Sequence, residues 1–152
     1  MKNVLETYLN GGPFNIKIHD NGLVWAGEHG HALTWMDAVV YGKPVTPRIG
    51  YDVEICALAY NAIQFSLELA RLARDTKFIS RFKHLPALIE QSFVETFWDE
   101  EKGYLADYVD TEHKDWSNIS PTVPMPYSVR TGSKFLKISL TSGKPAFLLS
   151  FR

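Results

Sequence analysis

The chain has 152 residues, of which 45% are hydrophobic and 22% are charged, as expected of one soluble globular domain with a hydrophobic core. Its 16 basic and 17 acidic residues leave a net charge of -1, so no global field would attract nucleic acid or an anionic membrane. The net charge is more consistent with a binding partner that is itself uncharged. Aromatic residues make up 13% of the chain, and exposed aromatic faces are one common way to hold sugar rings, although most aromatic residues of such a domain belong to its core.

The single cysteine, Cys56, cannot form a disulfide within the chain. Residues 1–6, with the sequence MKNVLE, lack the apolar run of a secretion signal. No segment reaches the roughly 20 apolar residues that are needed to span a bilayer. The sequence therefore predicts a cytoplasmic protein that does not associate with a membrane.

The first third of the chain predicts short regular elements separated by turns. A helical pattern at residues 4–9 ends at the sequence NGGP, residues 10–13, because two glycines and a proline do not continue a helix cheaply. Residues 14–19 alternate apolar and polar side chains, and a turn at residues 20–22 separates them from the apolar residues 23–25, which is typical of a β-hairpin. Residues 27–50 sustain no period, and their glycines and prolines predict a long structured loop.

Two strong helical patterns occupy the middle of the chain. The first runs from a cap at Tyr51 or Asp52 to about Arg74, with apolar residues three and four positions apart. Its apolar surface covers much of the circumference, which predicts a helix surrounded by other elements. The second pattern covers residues 78–97, where Pro86 indicates a kink or a late start. The two helices are expected to form an antiparallel pair.

The last third of the chain has a different character. Residues 98–108 place aromatic residues on both sides of an acidic turn, which favours a hairpin. Three prolines exclude a regular helix at residues 121–126, and residues 131–152 show no clear amphipathic period. Apolar β-like runs at residues 135–140 and 146–151 would be an aggregation hazard if they were left exposed.

Metal and nucleophile chemistry receives little support from the sequence. Glu28, His29 and His31 are ligand types that zinc or copper accepts, but no further histidine or cysteine follows at a ligand spacing. The acidic turn at residues 99–101 lacks the liganding repeat of a calcium loop. The sequence identifies no base that would activate Cys56. A polar loop, a solvated turn and a buried thiol are the simpler interpretations, so neither a metal nor a cofactor is predicted.

An ordered series of unusual residues runs from residue 33 to residue 62. It consists of LTWMDA at 33–38, PVTPR at 44–48, Gly50, VEI at 53–55, and then Ala57-Leu58 and Tyr60-Asn61-Ala62. This series closely resembles the glycogen debranching enzyme family and, more narrowly, its amylo-alpha-1,6-glucosidase domain. The resemblance covers roughly residues 20–117 and is far more specific than a lone short motif.

The resemblance implies a mainly α fold. The chain would be a partial segment of an (α/α)6 toroid, a ring of inner and outer helices, with a few short strands or hairpins near the active-site end. Residues 1–117 are assigned to this glucosidase domain, and residues 118–152 to a divergent tail, frameshifted or disordered. About three helices cannot complete a toroid of twelve, which leaves open a second polypeptide that supplies the rest of the toroid.

The resemblance also implies hydrolysis of α-1,6-glucosidic branch points in glycogen-like glucans. Asp37 is implied as the general acid, which protonates the leaving oxygen while an oxocarbenium-like transition state forms. An inverting enzyme also needs a carboxylate base about 6.5 to 9.5 Å away, with room for a water. In this family the base comes from much later in the chain. The base is therefore expected to be missing, and the chain to be inactive alone.

Five further residues are candidate substrate ligands. Arg48 can hold carboxylates by bidentate pairing, and Glu54 is interpreted as a ligand of a substrate hydroxyl or a partner of Arg48. Trp35, beside the general acid, offers apolar cover. Tyr60 and Asn61, a turn or two into the helix, reach the same pocket or, alternatively, pack and cap between helices.

The chain departs from the usual family pattern at several positions. Gly50-Tyr51-Asp52 stands where the family usually has Gly-Lys-Pro, which removes a cation. Cys56 and Ala59 stand where it often has Asn and Trp, which removes a large side chain. Contacts to the glucan are expected to differ accordingly. Two alternatives to an enzyme segment remain, namely a glucan-binding remnant and a non-functional truncated product.

Overall fold

A computed structural model describes residues 2–110, 114–115, 128–131, 134–141 and 144–151. These ranges contain four α-helices, which are α1 (Lys2–Asn10), α2 (Val53–Leu72), α3 (Thr76–Phe82) and α4 (Leu85–Phe97). The same ranges contain twelve strands, which are β1 (Lys17–Ile18), β2 (Val24–Ala26), β3 (Val39–Val40), β4 (Lys43–Pro44), β5 (Gly50–Asp52), β6 (Trp98–Asp99), β7 (Tyr104–Leu105), β8 (Tyr108–Val109), β9 (Lys114–Asp115), β10 (Ser128–Thr131), β11 (Lys134–Thr141) and β12 (Lys144–Phe151).

The strands form several antiparallel sheets. The largest has five strands in the order β1-β2-β5-β8-β9, so it joins segments that are far apart in the chain. Strands β10, β11 and β12 form a three-stranded sheet, while β3 with β4 and β6 with β7 form two small hairpins. The predicted hairpins at residues 14–25 and 98–108 are confirmed as β1–β2 and β6–β7. The β-like runs near the end of the chain lie in β11 and β12.

The prediction of a mainly α segment of an (α/α)6 toroid is wrong. The described residues form a mixed α and β structure in which four sheets accompany the helices. The apolar spacing of the helices is visible in the sequence. Strands β2, β5 and β8 pair over long distances in the chain, and such pairing produces no periodic pattern within a short segment. The predicted division into residues 1–117 and 118–152 stays a prediction.

The helix boundaries refine the predicted ones. The pattern at residues 78–97 divides into α3 and α4, and Pro86 lies in the first turn of α4, where its missing N–H costs no hydrogen bond. The long loop at residues 27–50 contains the β3–β4 hairpin, which is too short to leave a strand period in the sequence. In both regions the structure contains elements that are shorter than the segment over which the sequence pattern was interpreted.

Helix α2 lies at the centre of the core and packs against α3, α4 and β5. Its buried positions recur every three or four residues, which orients one side of the helix inward. The opposite side of α2 is not surrounded by other elements as predicted, because Leu58, Phe65 and Leu69 are exposed among the described residues. The largest fully buried side chains of the core are Tyr60, Phe82, Phe93, Phe97, Leu23 and Ile63.

A close approach of β5 and β8 brings distant parts of the chain together. A Cβ atom on Gly50 would lie 2.4 Å from the carbonyl oxygen of Val109, and Gly50 has a φ of +153°. Only glycine fits this contact without displacing the backbone. The backbone N–H of Val53, the first residue of α2, donates to the carbonyl of Asp107 at 3.1 Å. The start of α2 is therefore fixed beside the segment that precedes β8.

No helix within the described ranges has the length and apolar character required to cross a membrane.

Candidate functional site

The candidate site is built around the buried guanidinium of Arg48, in the loop just before β5. The Arg48 side chain is 1% exposed, and it forms a bidentate ion pair with Glu54 in the first turn of α2. Nη1 lies 2.5 Å from Oε1 and Nη2 lies 2.7 Å from Oε2. Nη2 also donates to the carbonyl oxygen of Asp107 at 3.1 Å. Of the two alternatives for Glu54, the structure shows the pairing with Arg48, which occupies both oxygens of Glu54. The role of Arg48 and Glu54 as substrate ligands stays a prediction.

Two more carboxylates contact the same guanidinium. Nε of Arg48 lies 3.1 Å from Oδ1 of Asp52 and 3.2 Å from Oδ2 of Asp107. These are ion-pair contacts without hydrogen-bond alignment, since Nε of Arg48 and both Asp52 oxygens are buried with no hydrogen-bond partner among the described residues. One cation therefore faces three carboxyl groups, an excess of negative charge in a region shielded from water.

Burial and this charge imbalance shift the ionisation of the cluster. Burial raises the pKa of Asp52 to about 7; the Arg48 charge opposes the rise, and the charges of Glu54 and Asp107 add to it. For Arg48, burial by itself would lower the pKa, but the hydrogen bond to Glu54 and the nearby carboxylates raise it overall. Arg48 therefore stays charged, whereas Asp52 holds a proton below about pH 7.

A chain of hydrogen bonds links Arg48 to the loop that carries the proposed acid. Nη1 of Arg48 lies 3.4 Å from Oγ1 of Thr34, which also accepts from the backbone N–H of Met36 at 3.3 Å. Thr46 donates to the Met36 carbonyl at 3.1 Å. Asp37 and Trp35 therefore project from a loop whose base is tied to the buried ion pair.

The two predicted loop residues are accessible from solvent. Trp35 is 75% exposed, and Asp37 is exposed as well. Within the described part of the chain, no hydrogen bond or ion pair involves the Asp37 carboxyl, so its oxygens are open to a ligand. Their predicted roles, general acid for Asp37 and substrate contact for Trp35, stay predictions.

Tyr60 and Asn61 lie deeper in the core, on α2. Tyr60 is fully buried; its hydroxyl donates to Glu90 and accepts from Nε2 of Gln64 at 3.0 Å. Burial, with the hydrogen bond to Glu90, raises the pKa of Tyr60 to about 12. Asn61 is 6% exposed, and its Nδ2 has no hydrogen-bond partner among the described residues. The structure does not group these two residues with the exposed loop, and their role as substrate ligands stays a prediction.

Sequence reasoning missed two members of the cluster, Asp52 and Asp107. Asp52 was interpreted as a cap of α2, but its side chain makes no capping hydrogen bond. The sequence offered no signal for its place in the cluster, because β5 has only three residues and shows no recognisable alternation. Asp107 lies 59 residues after Arg48, a separation at which no local pattern operates.

In the part of the chain that the structure describes, the other polar groups offer no cluster suited to metal. Across the described ranges, no three His, Cys, Asp or Glu side chains are grouped so that they could hold an ion. Glu28, His29 and His31 are exposed. Cys56 is buried with Sγ 3.6 Å from the Val24 carbonyl oxygen, and burial raises the pKa of its thiol. The absence of a cofactor stays a prediction.

A comparison with known families gives the class of this chain. Residues 1–135 match the family model described as amylo-alpha-1,6-glucosidase, which relates the chain to glycoside hydrolases. The chain belongs to the amylo-alpha-1,6-glucosidase family, and its predicted resemblance is confirmed. The family implies a glucan substrate. No curated protein and no solved structure matches the chain.

Proposed function

We propose that the chain is a glycoside hydrolase segment that binds α-1,6-branched glucan at the loop of residues 33–38, with Asp37 as the general acid. One observation carries the proposal. Asp37 and Trp35 are exposed on a loop that hydrogen bonds tie, through Thr34, to the buried pair of Arg48 and Glu54. A cytoplasmic location, which the single cysteine favours, belongs to the same proposal.

Accessibility distinguishes Asp37 from the other acids of the site. A general acid must reach the glycosidic oxygen that it protonates as the bond to the branch breaks. Asp37 is exposed, whereas Asp52 is 1% exposed and faces Arg48. Trp35, two residues from Asp37, presents an aromatic face on which a sugar ring can stack. We therefore assign the acid to Asp37 and the adjacent glucose contact to Trp35.

The same geometry argues against Glu54 as the second catalytic carboxylate. An inverting base needs a free oxygen to accept a proton from water, with about 6.5 to 9.5 Å between the two carboxyl groups. Both oxygens of Glu54 accept hydrogen bonds from Arg48, and its side chain is only 15% exposed. We assign Glu54 to positioning Arg48, and we propose that a further polypeptide supplies the base.

Binding to a branched polymer tests the loop directly. We expect migration of the protein through a native gel to be slowed by amylopectin, and Trp35→Ala to weaken the apparent affinity about tenfold because the stacking face is lost. Leu72→Ala is the matched control, since Leu72 is 82% exposed on α2, away from the loop. Equal retardation of Trp35→Ala and the unmodified protein would contradict the assignment.

The two alternatives separate in other measurements. A glucan-binding remnant would keep the retardation by amylopectin but would gain nothing from the Asp37 carboxyl, so Asp37→Asn would leave binding unchanged. A non-functional product would show neither retardation nor a cooperative thermal transition. The binding remnant is the favoured alternative, because the exposed loop and its buried support are both present in the described structure.

A further inference from the structure

A second candidate site lies on the sheet, in an open pocket of about 380 Å³. Its lining residues are Lys17, His19, Asp20, Asn21 and Tyr51. They come from β1, the turn that follows β1, and β5. None of them was predicted as a ligand, and none of them belongs to the Arg48 cluster.

Strand register places an aromatic row beside this pocket. Lys17 pairs with Trp25, and Trp25 pairs with Tyr51, so these three side chains lie in one row across β1, β2 and β5. The His19 ring stacks on Trp25 with centroids 5.7 Å apart and an interplanar angle of 9°. The Tyr51 ring meets Trp25 edge-on at 5.2 Å. The His19 and Tyr51 rings line the pocket, and they supply the aromatic surface against which a sugar ring can pack.

Three of the polar residues of the pocket, His19, Asn21 and Tyr51, are held in place before any ligand arrives. Nδ1 of His19 and the hydroxyl of Tyr51 are 2.8 Å apart. Oδ1 of Asn21 accepts from the backbone N–H of Leu23 at 3.0 Å, which fixes the turn from within. Gly22 packs directly on α4, where an added Cβ would lie 2.9 Å from Cγ1 of Ile89. Preorganised groups lose little entropy when they bind a ligand.

The pocket and the Arg48 cluster lie on opposite faces of β5. Successive strand residues point to opposite sides of a sheet. Asp52 is buried against Arg48, whereas its neighbour Tyr51 is half-buried and lines the pocket. A ligand in the pocket would therefore not contact the carboxylates of the Arg48 cluster.

The charges and hydrogen-bonding groups of the pocket define the ligand class. Lys17 and Asp20 contribute one charge of each sign, so the lining has no net charge to attract an anion or a cation. Lys17 and Asn21 supply donors, and Asp20 supplies acceptors. A sugar hydroxyl is both donor and acceptor, so it can pair with either kind of group. A volume of about 380 Å³ lies at the small end of ligand pockets and suits one or two rings.

We propose that this pocket is a second carbohydrate site, which binds a glucosyl unit of the glucan apart from the Asp37 loop. The polyhydroxy class of ligand follows from the pocket, whereas the choice of glucose rests on the proposed function. Burial raises the pKa of Tyr51, partly offset by a hydrogen bond from Asn21, so its hydroxyl stays protonated at neutral pH. The two sites together would hold one branched polymer at two points.

His19 offers a direct readout of pocket occupancy, because it lines the pocket and its ring packs against Trp25 and Tyr51. The probe is maltose, titrated into the full chain while the imidazole resonances are followed by NMR, with the His19 signal assigned by His19→Gln. We expect a saturable shift of that signal. The double variant Lys17→Ala/Asp20→Ala should weaken the apparent affinity at least tenfold. Both residues are exposed, so folding should be retained.

A matched control carries the same change in charge elsewhere. Lys83→Ala/Glu101→Ala removes one exposed charge of each sign outside the pocket and should leave the titration unchanged. No response of His19 to maltose, or equal affinity in the pocket double variant, would overturn the proposal. So would a His19 response to glycine or inorganic phosphate that maltose does not produce.

The variants also separate this proposal from the proposed function. Trp35→Ala should leave the response of His19 to maltose intact, since Trp35 does not line the pocket. If Trp35→Ala has no effect on retardation by amylopectin while His19 still responds, the assignment of the loop fails and the pocket stands. If His19 is silent while Trp35→Ala abolishes retardation, the pocket fails and the loop stands.

Discussion

The chemistry of single residues is concentrated at Arg48, where one guanidinium faces Asp52, Glu54 and Asp107. The Arg48–Glu54 pair was predictable, because six residues separate its members and a helix begins between them. Asp52 resembled an ordinary cap, and Asp107 depended on a strand pairing that no local pattern reports. Sequence therefore identified the ion pair but not the excess of negative charge around it.

That excess gives a pH dependence with a definite sign. The folded pKa of Asp52, about 7, lies above its ordinary value of 3.8, so the folded state binds more protons than the unfolded state between these values. The contribution of Asp52 to the free energy of unfolding therefore falls as the pH rises from about 4 to 7. Asp52→Asn keeps the shape and removes the buried charge. We expect it to raise the free energy of unfolding by roughly 2 kcal/mol at pH 8 and by much less at pH 5.

Urea unfolding of both proteins at the two pH values measures this difference. Glu101→Gln, a neutralisation of an exposed carboxylate, is the control and should change stability little at either pH. A loss of stability in Asp52→Asn at pH 8 would mean that the Asp52 charge stabilises Arg48 more than it repels its acidic neighbours.

At the scale of elements, the long helical patterns were informative and the short strands were not. The spacing of apolar residues located α2 and the region of α3 and α4, where Pro86 indicated a kink or a late start. Strands β2, β5 and β8 have two or three residues each, too few for a recognisable alternation. β2 and β5 pack against α2, β8 packs against α4, and β5 meets β8 closely at Gly50. These contacts exist only in the folded chain.

The two faces of the helices should respond differently to the loss of a phenyl ring. Phe93 on α4 is 1% exposed, so Phe93→Ala should leave a cavity and cost about 3 to 5 kcal/mol. Phe65 on α2 is 45% exposed, so Phe65→Ala should cost about 1 kcal/mol or less. Urea unfolding of each variant at one pH supplies the comparison. Similar losses for the two variants would show that the exposed side of α2 is covered in solution.

At the scale of the whole molecule, sequence identified the family but not the architecture. The residues at 33–38 and 44–48 carry a family signature, and the family match extends over residues 1–135. The expected toroid segment was an inference from that family, and the sheets of the described residues contradict it. Motif residues indicate the chemistry of a family. The arrangement of helices and strands depends on pairing between distant parts of the chain, which short motifs do not specify.

The central proposal is that Asp37 is a general acid and that no free catalytic base accompanies it among the residues that the structure describes. The most direct test incubates the full chain with a short α-1,6-branched dextrin and measures free glucose, using a preparation whose migration amylopectin retards. Because Glu54 is bound by Arg48, we expect release no faster than with Asp37→Asn. Glucose release that Asp37→Asn abolishes would contradict the account, since it would require a working base within the chain.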